Sequence, residues 1–412
     1  MALDETIAFV HELTWNDVPE DVRARIHLLQ RDLVASSLAG RETPAALVAA
    51  DYAANQHPGA EANALLDGRR LSVTGAAWSN GVLANALDFD DGHRLVKGHP
   101  GANVVPAALA AAEAVGATIT EYLTAVVVGY EVALRAGLCL HAQSRDYHAS
   151  GAWGAVGAAA ACARLLSLDD SATRHALGLA AYHAPLAPIM RSVAQPAMTK
   201  DACGWGAMLG ASSALLAAGG FTALECTLVG EDLRARWQIR DVYVKRFPCC
   251  RWSQPAIAAA LALRADPAFD PSSITRVRVR TFAAAGALAR GAPRTTEEAQ
   301  YSIVWPVAVA LTRGAFGVGD VLGDALEDVS VARLASSVEI ETAPELEAEF
   351  PDRRLAQVTV DGYCSAVVEA PGEPNDPGWR DIVDAKFGAH VGVSSELPLH
   401  LAAACSPERT WV

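Results

Sequence analysis

Residues 119–137 read ITEYLTAVVVGYEVALRAG, an apolar run built largely from alanine, valine, leucine and glycine. Apolar residues recur three and four positions apart, which is the spacing of one helix face. Glu121, Glu131 and Arg135 interrupt the run and argue against a membrane span. The stretch therefore predicts a mainly helical protein whose helices pack closely through small side chains.

The same pattern extends from Leu3 to about Leu233. VRARIHLLQRDLVASSLAG has helical spacing and stops at Gly40, a plausible C-cap. In RDYHASGAWGAVGAAAACARLL, at 145–166, three glycines fall roughly on one helix face after Ser150, a possible N-cap. No strand precedes these glycines, so we interpret them as close helix–helix packing and not as a dinucleotide fingerprint.

After Gln238 the pattern changes to short strands. ITRVRVRTF at 274–282 and SSVEIETA at 336–343 alternate apolar and polar residues, and LAQVTVDGYCSAVVEA at 355–370 predicts a hairpin around Asp361-Gly362. Residues 297–314 predict a helix that Pro306 would kink. We therefore expect an all-helical domain at 1–240, an α+β lid domain at 241–374, and a tail at 375–412 that returns to the helical part.

Composition excludes several classes of partner. The net charge is −14, which argues against nucleic acid and against an anionic membrane surface. The N-terminus lacks the basic and apolar regions of a signal peptide. The eight cysteines form no CxxC pair, which is typical of reduced thiols. We expect a cytoplasmic protein without disulfide bonds.

Residues 85–100, NALDFDDGHRLVKGHP, crowd three aspartates, two histidines and one lysine into one segment. If a helix ends over residues 80–91, Asp88 and Asp91 share a face and Asp90 points elsewhere. Carboxylates are disfavoured at a helix C-terminus, and an aspartate commonly orients a histidine that acts as a general base. The segment therefore predicts an acid–base site that includes His99.

Three further segments carry candidate site residues. His148 precedes the glycine-rich helix, where an anion could meet the free amides of its first turn. Lys200 lies in a loop or at a helix start. YVKRFPCCRWSQP, at 243–255, places Lys245, Arg246 and Arg251 close together, which favours a carboxylate clamp. No second Cys/His pair with metal-ligand spacing lies nearby, so we predict no metal site.

Taken together, several stretches resemble the MmgE/PrpD family of 2-methylcitrate dehydratases, cis-aconitate decarboxylases and iminodisuccinate epimerases. The stretches are LVASSLAG, ALDFDDGH with GHPGANVVPAALAAAEAVG, VVVGYEVALRAG, the His148 segment, MTK, VKRFPCC and PRTTEEAQYSI. The resemblance implies a helical domain with a smaller α/β lid, a homodimer, and a site between the domains. It also implies small di- or tricarboxylate substrates and no metal or organic cofactor.

The resemblance also implies roles for individual residues. Asp88 matches a site aspartate, and Asp91 of the same motif is expected to orient its neighbours. His99 matches a histidine that looks like a proton-transfer group, with Asp88 or Asp91 fixing its tautomer. His148 matches a second site histidine, and a pair of opposed groups such as His99 and His148 would suit decarboxylation or epimerisation.

The predicted substrate-binding residues are Lys200, Lys245, Arg246, Cys250 and Trp305. The two lysines match lysines implicated in carboxylate binding, with Arg246 as a possible third cation. Cys250 stands where the decarboxylase branch has a histidine, and Trp305 stands where that branch has a tyrosine.

The predicted activity is that of a dehydratase-type lyase, which removes a proton next to a carboxylate. A decarboxylase or an epimerase is the alternative within the family. Gln254, where many members have a histidine, and Trp305 motivate a third alternative, a catalytically silent dimeric binding or scaffold protein.

Overall fold

The computed structural model describes residues 2–270, 274–389 and 397–405. Helices dominate the N-terminal part, and the prediction of a mainly helical protein with a smaller α+β part is confirmed. These helices are α1 Ala2–Glu12, α2 Glu20–Gly40, α3 Pro44–Gln56, α4 Val73–Asn85, α5 Gly101–Val115, α6 Ile119–Gln143, α7 Gly151–Leu165, α8 Asp170–His183, α9 Ile189–Ala194 and α10 Cys203–Ala218.

Helix α6 is the longest helix of this part. Thr118 and Glu121 form a capping box that satisfies the free amides at its start. By length and composition alone α6 could cross a membrane, but most of it is buried inside the protein. Its neighbours are α5 and α7, and Glu131 forms a buried ion pair with Arg135 one turn away. Its apolar composition is therefore accounted for by burial in a protein core.

Small residues let these helices approach one another closely. A Cβ added at Gly157 of α7 would clash with the carbonyl oxygen of Gly129 in α6, and one at Gly154 would clash with Asn103 of α5. At Gly157 the obstacle is a backbone oxygen, which cannot move aside as a flexible side chain does, and at Gly154 it includes the Cβ of the buried Asn103, so both positions favour glycine. The glycines thus fix the distance between α7 and its neighbours.

The N-terminal part also contains strands that the sequence did not indicate. Strands β1 Pro58–Asn63 and β2 Arg70–Leu71 pair antiparallel between α3 and α4, so the all-helical prediction was wrong there. Strand β3 Gly92–His93 pairs with β4 Val242–Tyr243. This second pairing fastens the aspartate-rich segment to the chain that enters the C-terminal part.

The C-terminal part is a mixed sheet covered by helices. Strand β5 lies between β6, which is parallel to it, and β7, which is antiparallel. Strands β8 and β9 both pair with β7, and β7–β8 is the hairpin predicted at Asp361-Gly362. The strands are β5 Val277–Thr281, β6 Val338–Thr342, β7 Leu355–Val360, β8 Tyr363–Cys364 and β9 Val368–Glu369.

The helices of this part surround Trp305 and the buried face of the sheet. The helix predicted at 297–314 divides in two near Tyr301, and Pro306 lies in the first turn of the second helix, where no intrahelical amide is needed. The helices are α11 Gln254–Arg264, α12 Ala283–Gly286, α13 Thr296–Gln300, α14 Val304–Arg313, α15 Val329–Ser336 and α16 Pro344–Glu347.

Two helices follow the sheet, α17 Trp379–Gly388 and α18 Leu399–Ala404. Helix α17 packs against α2, and α18 contacts α2 and α6. Helices α17 and α18 are therefore part of the N-terminal core, and α17 carries Lys386 into that core.

We predict that Gly157→Ala lowers the free energy of unfolding by about 1–3 kcal/mol, because the methyl group overpacks the contact between α6 and α7. Urea denaturation measures the change. Gly291→Ala is the matched control, since a Cβ there meets no atom within 4 Å. Equal stability of the two variants would contradict close packing at Gly157.

Candidate active site

The site is built on the loop that follows α4. That helix ends at Asn85, six residues earlier than the predicted end at Asp91, and Asp88 has a left-handed backbone with φ of 51°. The prediction that Asp90 points away from the other aspartates was therefore wrong, because the loop turns its carboxylate toward His99. A non-glycine residue with positive φ stores strain, and such strain clusters at functional sites.

His99 is surrounded by carboxylates on both edges of its ring. Its Nε2 lies 3.0 Å from Asp88 Oδ1 and 3.9 Å from Asp201 Oδ2. Its Nδ1 lies 3.1 Å from Asp90 Oδ2 and 2.8 Å from the backbone oxygen of Asp91. The Asp91 carbonyl oxygen accepts from Nδ1 and Asp88 lies at Nε2, so these two groups orient the ring, whereas the Asp90 carboxylate adds a nearby negative charge.

Lys245 completes the charge balance around Asp88. Its Nζ lies 2.6 Å from Asp88 Oδ1 and donates to the Asp88 carbonyl oxygen at 2.8 Å. Both side chains are almost fully buried. Since a buried ion pair loses its hydration, it persists only where hydrogen bonds replace the lost water.

Asp201 connects the cluster to both parts of the chain. Its Oδ1 accepts from Ser150 Oγ at 3.0 Å, and its Oδ2 accepts from the Tyr301 hydroxyl at 3.1 Å. The Ser150 hydroxyl oxygen in turn accepts from the His99 backbone amide at 2.9 Å. The start of α7 and the end of α13 therefore meet at this carboxylate.

The cluster opens into a small cavity of about 50 Å3 between the two parts of the protein. Its N-terminal walls come from the loop around His99 and from α9, and its C-terminal walls come from β4 and the chain after it. The lining residues are Asp88, Lys97, His99, Ile189, Val193, Asp201, Tyr243, Lys245, Cys250, Arg251, Trp252, Tyr301 and Arg354. Four of these are lysines or arginines, so the cavity suits an anion.

The charges decide where the protons are. Burial opposes the charged ring of His99, yet Asp90 and the neighbouring carboxylates raise its pKa well above the usual value. Burial also opposes ionisation of Asp88, but Lys245 and His99 hold its pKa far below the usual range. At neutral pH the resting site therefore contains an imidazolium ion between carboxylates.

Asp91 behaves differently from its neighbours. Burial, together with the charges of Asp90 and Asp32, raises its pKa to about 7. Its carboxyl group accepts from the Tyr130 hydroxyl at 2.8 Å and from the Gly101 amide at 3.1 Å. It thus links the loop to α6 and to the start of α5.

A second buried ion pair, between α17 and α2, supports the loop that carries the aspartates. Lys386 Nζ lies 2.6 Å from Asp32 Oδ1 and donates to the Phe89 carbonyl oxygen at 2.5 Å. Its ammonium group also lies 3.9 Å from the centre of the Phe89 ring. Helix α17 therefore helps to hold the residue between Asp88 and Asp90 in place.

Among the described residues, Asp88, Asp90 and His99 form a set of donor atoms that lie within 4.8 Å of one another. Such a set can hold a metal ion. Here the ammonium group of Lys245 lies against Asp88, and His99 has a carboxylate at each ring nitrogen. The Lys245 ammonium group therefore provides the positive charge that a metal ion would otherwise provide beside Asp88.

The structure brings four predicted site residues to the cavity: Asp88, His99, Lys245 and Cys250. Burial raises the pKa of the Cys250 thiol, which disfavours a thiolate nucleophile. Lys200 lies behind the cavity wall, where Nζ donates to the Asn85 carbonyl oxygen and, at 2.6 Å, to Gln300 Oε1.

Besides Asp91 and Lys200, three predicted site residues do not line the cavity. His148 lies 3.1 Å from Ser144 Oγ, outside the cluster. Arg246 is exposed, at the bend that directly follows the buried Lys245. Trp305 is fully buried in the core of the C-terminal part, where its Nε1 donates to the Asp320 carbonyl oxygen.

Gln254 also has a local structural role. Its Nε2 donates to the Phe247 and Cys249 carbonyl oxygens, and its Oε1 accepts from the Arg246 amide. The side chain thus holds the loop that carries Cys249 and Cys250.

Sequence reasoning missed several residues of the site: Asp90, Lys97, Ser150, Asp201, Tyr301, Arg354 and Lys386. Four of them had a local signal, since Asp90 and Lys97 lie in NALDFDDGHRLVKGHP, Asp201 follows Lys200 directly and Tyr301 lies in PRTTEEAQYSI. Ser150, Arg354 and Lys386 come from distant segments, and no local pattern indicates that they meet the others.

The fold and the site together define a two-part, mainly helical protein with a buried acid–base cluster between its parts. Residues 5–241 match the MmgE/PrpD N-terminal domain, and residues 247–396 match the MmgE/PrpD C-terminal domain. The chain belongs to the MmgE/PrpD family, and the resemblance inferred from its motifs is confirmed.

Curated relatives resemble the chain at low identity. A cis-aconitate decarboxylase-like protein of Aspergillus oryzae is 31% identical over 190 residues, which is 44% of this chain and 39% of the relative. The cis-aconitate decarboxylase of Aspergillus terreus is 27% identical over 54% of this chain and 47% of its own. That of Mus musculus is 29% identical over 68% and 63%. The chain spans about half the length of the curated relatives it matches.

We predict that Asp91→Asn becomes more stabilising, relative to the natural protein, as the pH rises from 5 to 8. The folded state holds a proton on Asp91 up to a pKa of about 7, whereas the unfolded state releases it near the usual 3.8. The free energy of unfolding therefore falls as pH rises through that window, and asparagine removes this loss.

Melting temperatures at each pH measure the effect. Asp324→Asn, at an exposed position, is the matched control. A difference between Asp91→Asn and the natural protein that stays constant from pH 5 to 8 would show that Asp91 does not titrate in this range.

Proposed function

We propose that the protein is a lyase that acts on a small polycarboxylate, with His99 as the proton donor and no metal or organic cofactor. The observation that carries the proposal is the buried His99 ring, which lies between the carboxylates of Asp88 and Asp90 and lines a cavity with four lysines and arginines. The relatives named cis-aconitate decarboxylase support lyase chemistry.

Decarboxylation is the reaction that a charged His99 suits best. The bond between the carbon skeleton and one carboxylate breaks, CO2 leaves, and the electron pair stays on the skeleton. Lys245 stabilises the negative charge that develops there, and His99 Nε2 gives its proton to the carbanion. One proton is consumed for each CO2, and solvent protonates the ring again after product release.

Dehydration, the reaction predicted from the sequence, is the second candidate. It requires a base that removes a C–H proton before a hydroxyl group leaves. Asp201 lines the same cavity and is a carboxylate that can take this role. Epimerisation has less support, because the second predicted histidine, His148, does not line the cavity.

A substrate panel in deuterated water separates these reactions. Protein dialysed against EDTA is incubated with cis-aconitate, 2-methylcitrate and iminodisuccinate. Released CO2 with deuterium in the product supports decarboxylation, new alkene absorbance supports dehydration, and exchange without net conversion supports epimerisation. No reaction and no ligand-induced rise in melting temperature would favour a silent binding or scaffold protein.

We predict that His99→Ala lowers turnover by at least about 100-fold, because the proton donor is lost. Initial rates on the active substrate measure the loss. His57→Ala is the control, since His57 is a half-buried histidine outside the cavity. A folded His99→Ala protein with the same turnover as the natural protein would contradict the proposed role.

We also propose that the protein is a homodimer, as the family resemblance implies. The N-terminal part exposes Leu47, Val48 and Tyr52 on α3 beside Met198 and Trp205, around an apolar groove of about 360 Å3. Apolar patches of this kind commonly mark protein–protein contacts.

We predict that Val48→Glu converts the dimer to a monomer, because a carboxylate in a dry contact has no partner. Light scattering after size-exclusion chromatography measures the mass. Val329→Glu, at an exposed position of α15, should leave the mass unchanged. A dimer that survives Val48→Glu would exclude this face as the contact.

A further inference from the structure

Lys97 lines the cavity, and among the described residues no carboxylate forms an ion pair with it. Among the described residues, no acidic oxygen lies within 4.0 Å of its Nζ, and none accepts a hydrogen bond from it. The other three cations of the cavity have protein partners: Lys245 pairs with Asp88, and Arg251 and Arg354 both contact Glu373. Within the described part of the chain, Lys97 is thus the one cation lining the cavity that forms no ion pair.

Two aromatic rings hold the ammonium group in place. Its Nζ lies 3.5 Å from the centre of the Tyr147 ring and 4.7 Å from that of Phe350. Tyr147 comes from the N-terminal part and Phe350 from the C-terminal part. Cation–π contacts orient a charge but leave its N–H groups able to donate to an anion.

Lys97 lies toward the solvent end of the cavity. It is half-buried beside the partly exposed Tyr147, whereas Asp88, His99 and Lys245 are almost fully buried. An anion that reaches from the reacting end to the open end would therefore meet Lys245 first and Lys97 last.

Arg354 adds a second incomplete cation on the C-terminal side. Its Nη2 donates to the Arg94 carbonyl oxygen at 3.1 Å, but its buried Nε has no partner among the described residues. The backbone at Lys97 is left-handed, with φ of 49°, so the loop holds this lysine in a conformation that most residues avoid. The buried Nε of Arg354 and the unpaired ammonium group of Lys97 are therefore the two groups at this end of the cavity that can donate to an anion.

We propose that Lys97, with Arg354, binds a second carboxylate of the substrate, remote from the carbon that reacts at His99. The inference rests on the proposed function and adds to it which side chains hold the carboxylate that does not react. Lys97 would then decide which chain lengths and charges are accepted, while Lys245 and His99 serve the reaction.

A ligand–protein double-mutant cycle tests the inference. The natural protein and Lys97→Met are each titrated calorimetrically with glutarate and with glutaramate, in which one carboxylate is an amide. Lys97→Met should weaken glutarate binding by a factor of about 10 or more. It should weaken glutaramate binding by less than half of that factor. Lys97→Arg should restore most of the glutarate affinity, and Arg290→Met controls for the loss of a positive charge.

The pH dependence gives a readout that a purely structural role would not move. Burial, with a smaller contribution from Arg354, lowers the pKa of Lys97 to about 8. His141 of α6 also interacts with Lys97, beside the Tyr147 ring, and it is neutral at this pH because burial lowers its pKa to about 4. Glutarate affinity should therefore fall between pH 7 and 9 in the natural protein and fall less in Lys97→Arg.

The outcomes separate the two proposals. Equal glutarate affinity of the natural protein and a folded Lys97→Met would overturn the role of Lys97 and leave the lyase proposal standing. Equal losses for glutarate and glutaramate would also overturn it, since they would indicate a structural role. If the natural protein neither binds glutarate nor converts any substrate in the panel, both proposals fall.

Discussion

The compensation of buried charge is the constraint on which the rest of the structure depends. Asp88, Asp90 and Asp201 surround one imidazole in a region that water hardly reaches. Each of these ions loses several kcal/mol of hydration on burial, so none is stable there alone. Lys245 and the proton on His99 offset that loss. The proton on His99 is therefore a structural necessity, and the proposed chemistry uses a proton that the fold already requires.

Close packing of small residues makes this compensation possible. The helices around the site are rich in alanine and glycine, and α7 approaches both α5 and α6 at glycine positions. Because the backbones are close, short side chains such as Ser150 and Asp201 reach across the gap. A core of larger residues would separate the same helices and leave these carboxylates without donors.

The sequence predicted the features that have local causes. Helical spacing predicted the N-terminal helices, and alternation with Asp361-Gly362 predicted the C-terminal hairpin. The orientation of Asp90 was wrong because it depends on the left-handed turn at Asp88, which no spacing rule indicates. The contact of Lys386 with Asp32 joins residues 354 positions apart, since 386 − 32 = 354, and tertiary packing alone creates it. Motif comparison located the segment of Trp305 but could not show that its ring turns into the core.

The division of the site between two parts of the chain has a consequence for how it works. The proton donor and its carboxylates come from the N-terminal part, whereas Lys245, Tyr301 and Arg354 come from the C-terminal part. Without Lys245, Asp88 would be a buried carboxylate with only His99 to neutralise it, and the ring would share its proton with that oxygen more strongly. The ammonium group weakens the hold of Asp88 on the imidazolium. The approach of the C-terminal part therefore both neutralises Asp88 and makes the His99 proton easier to transfer to a bound anion.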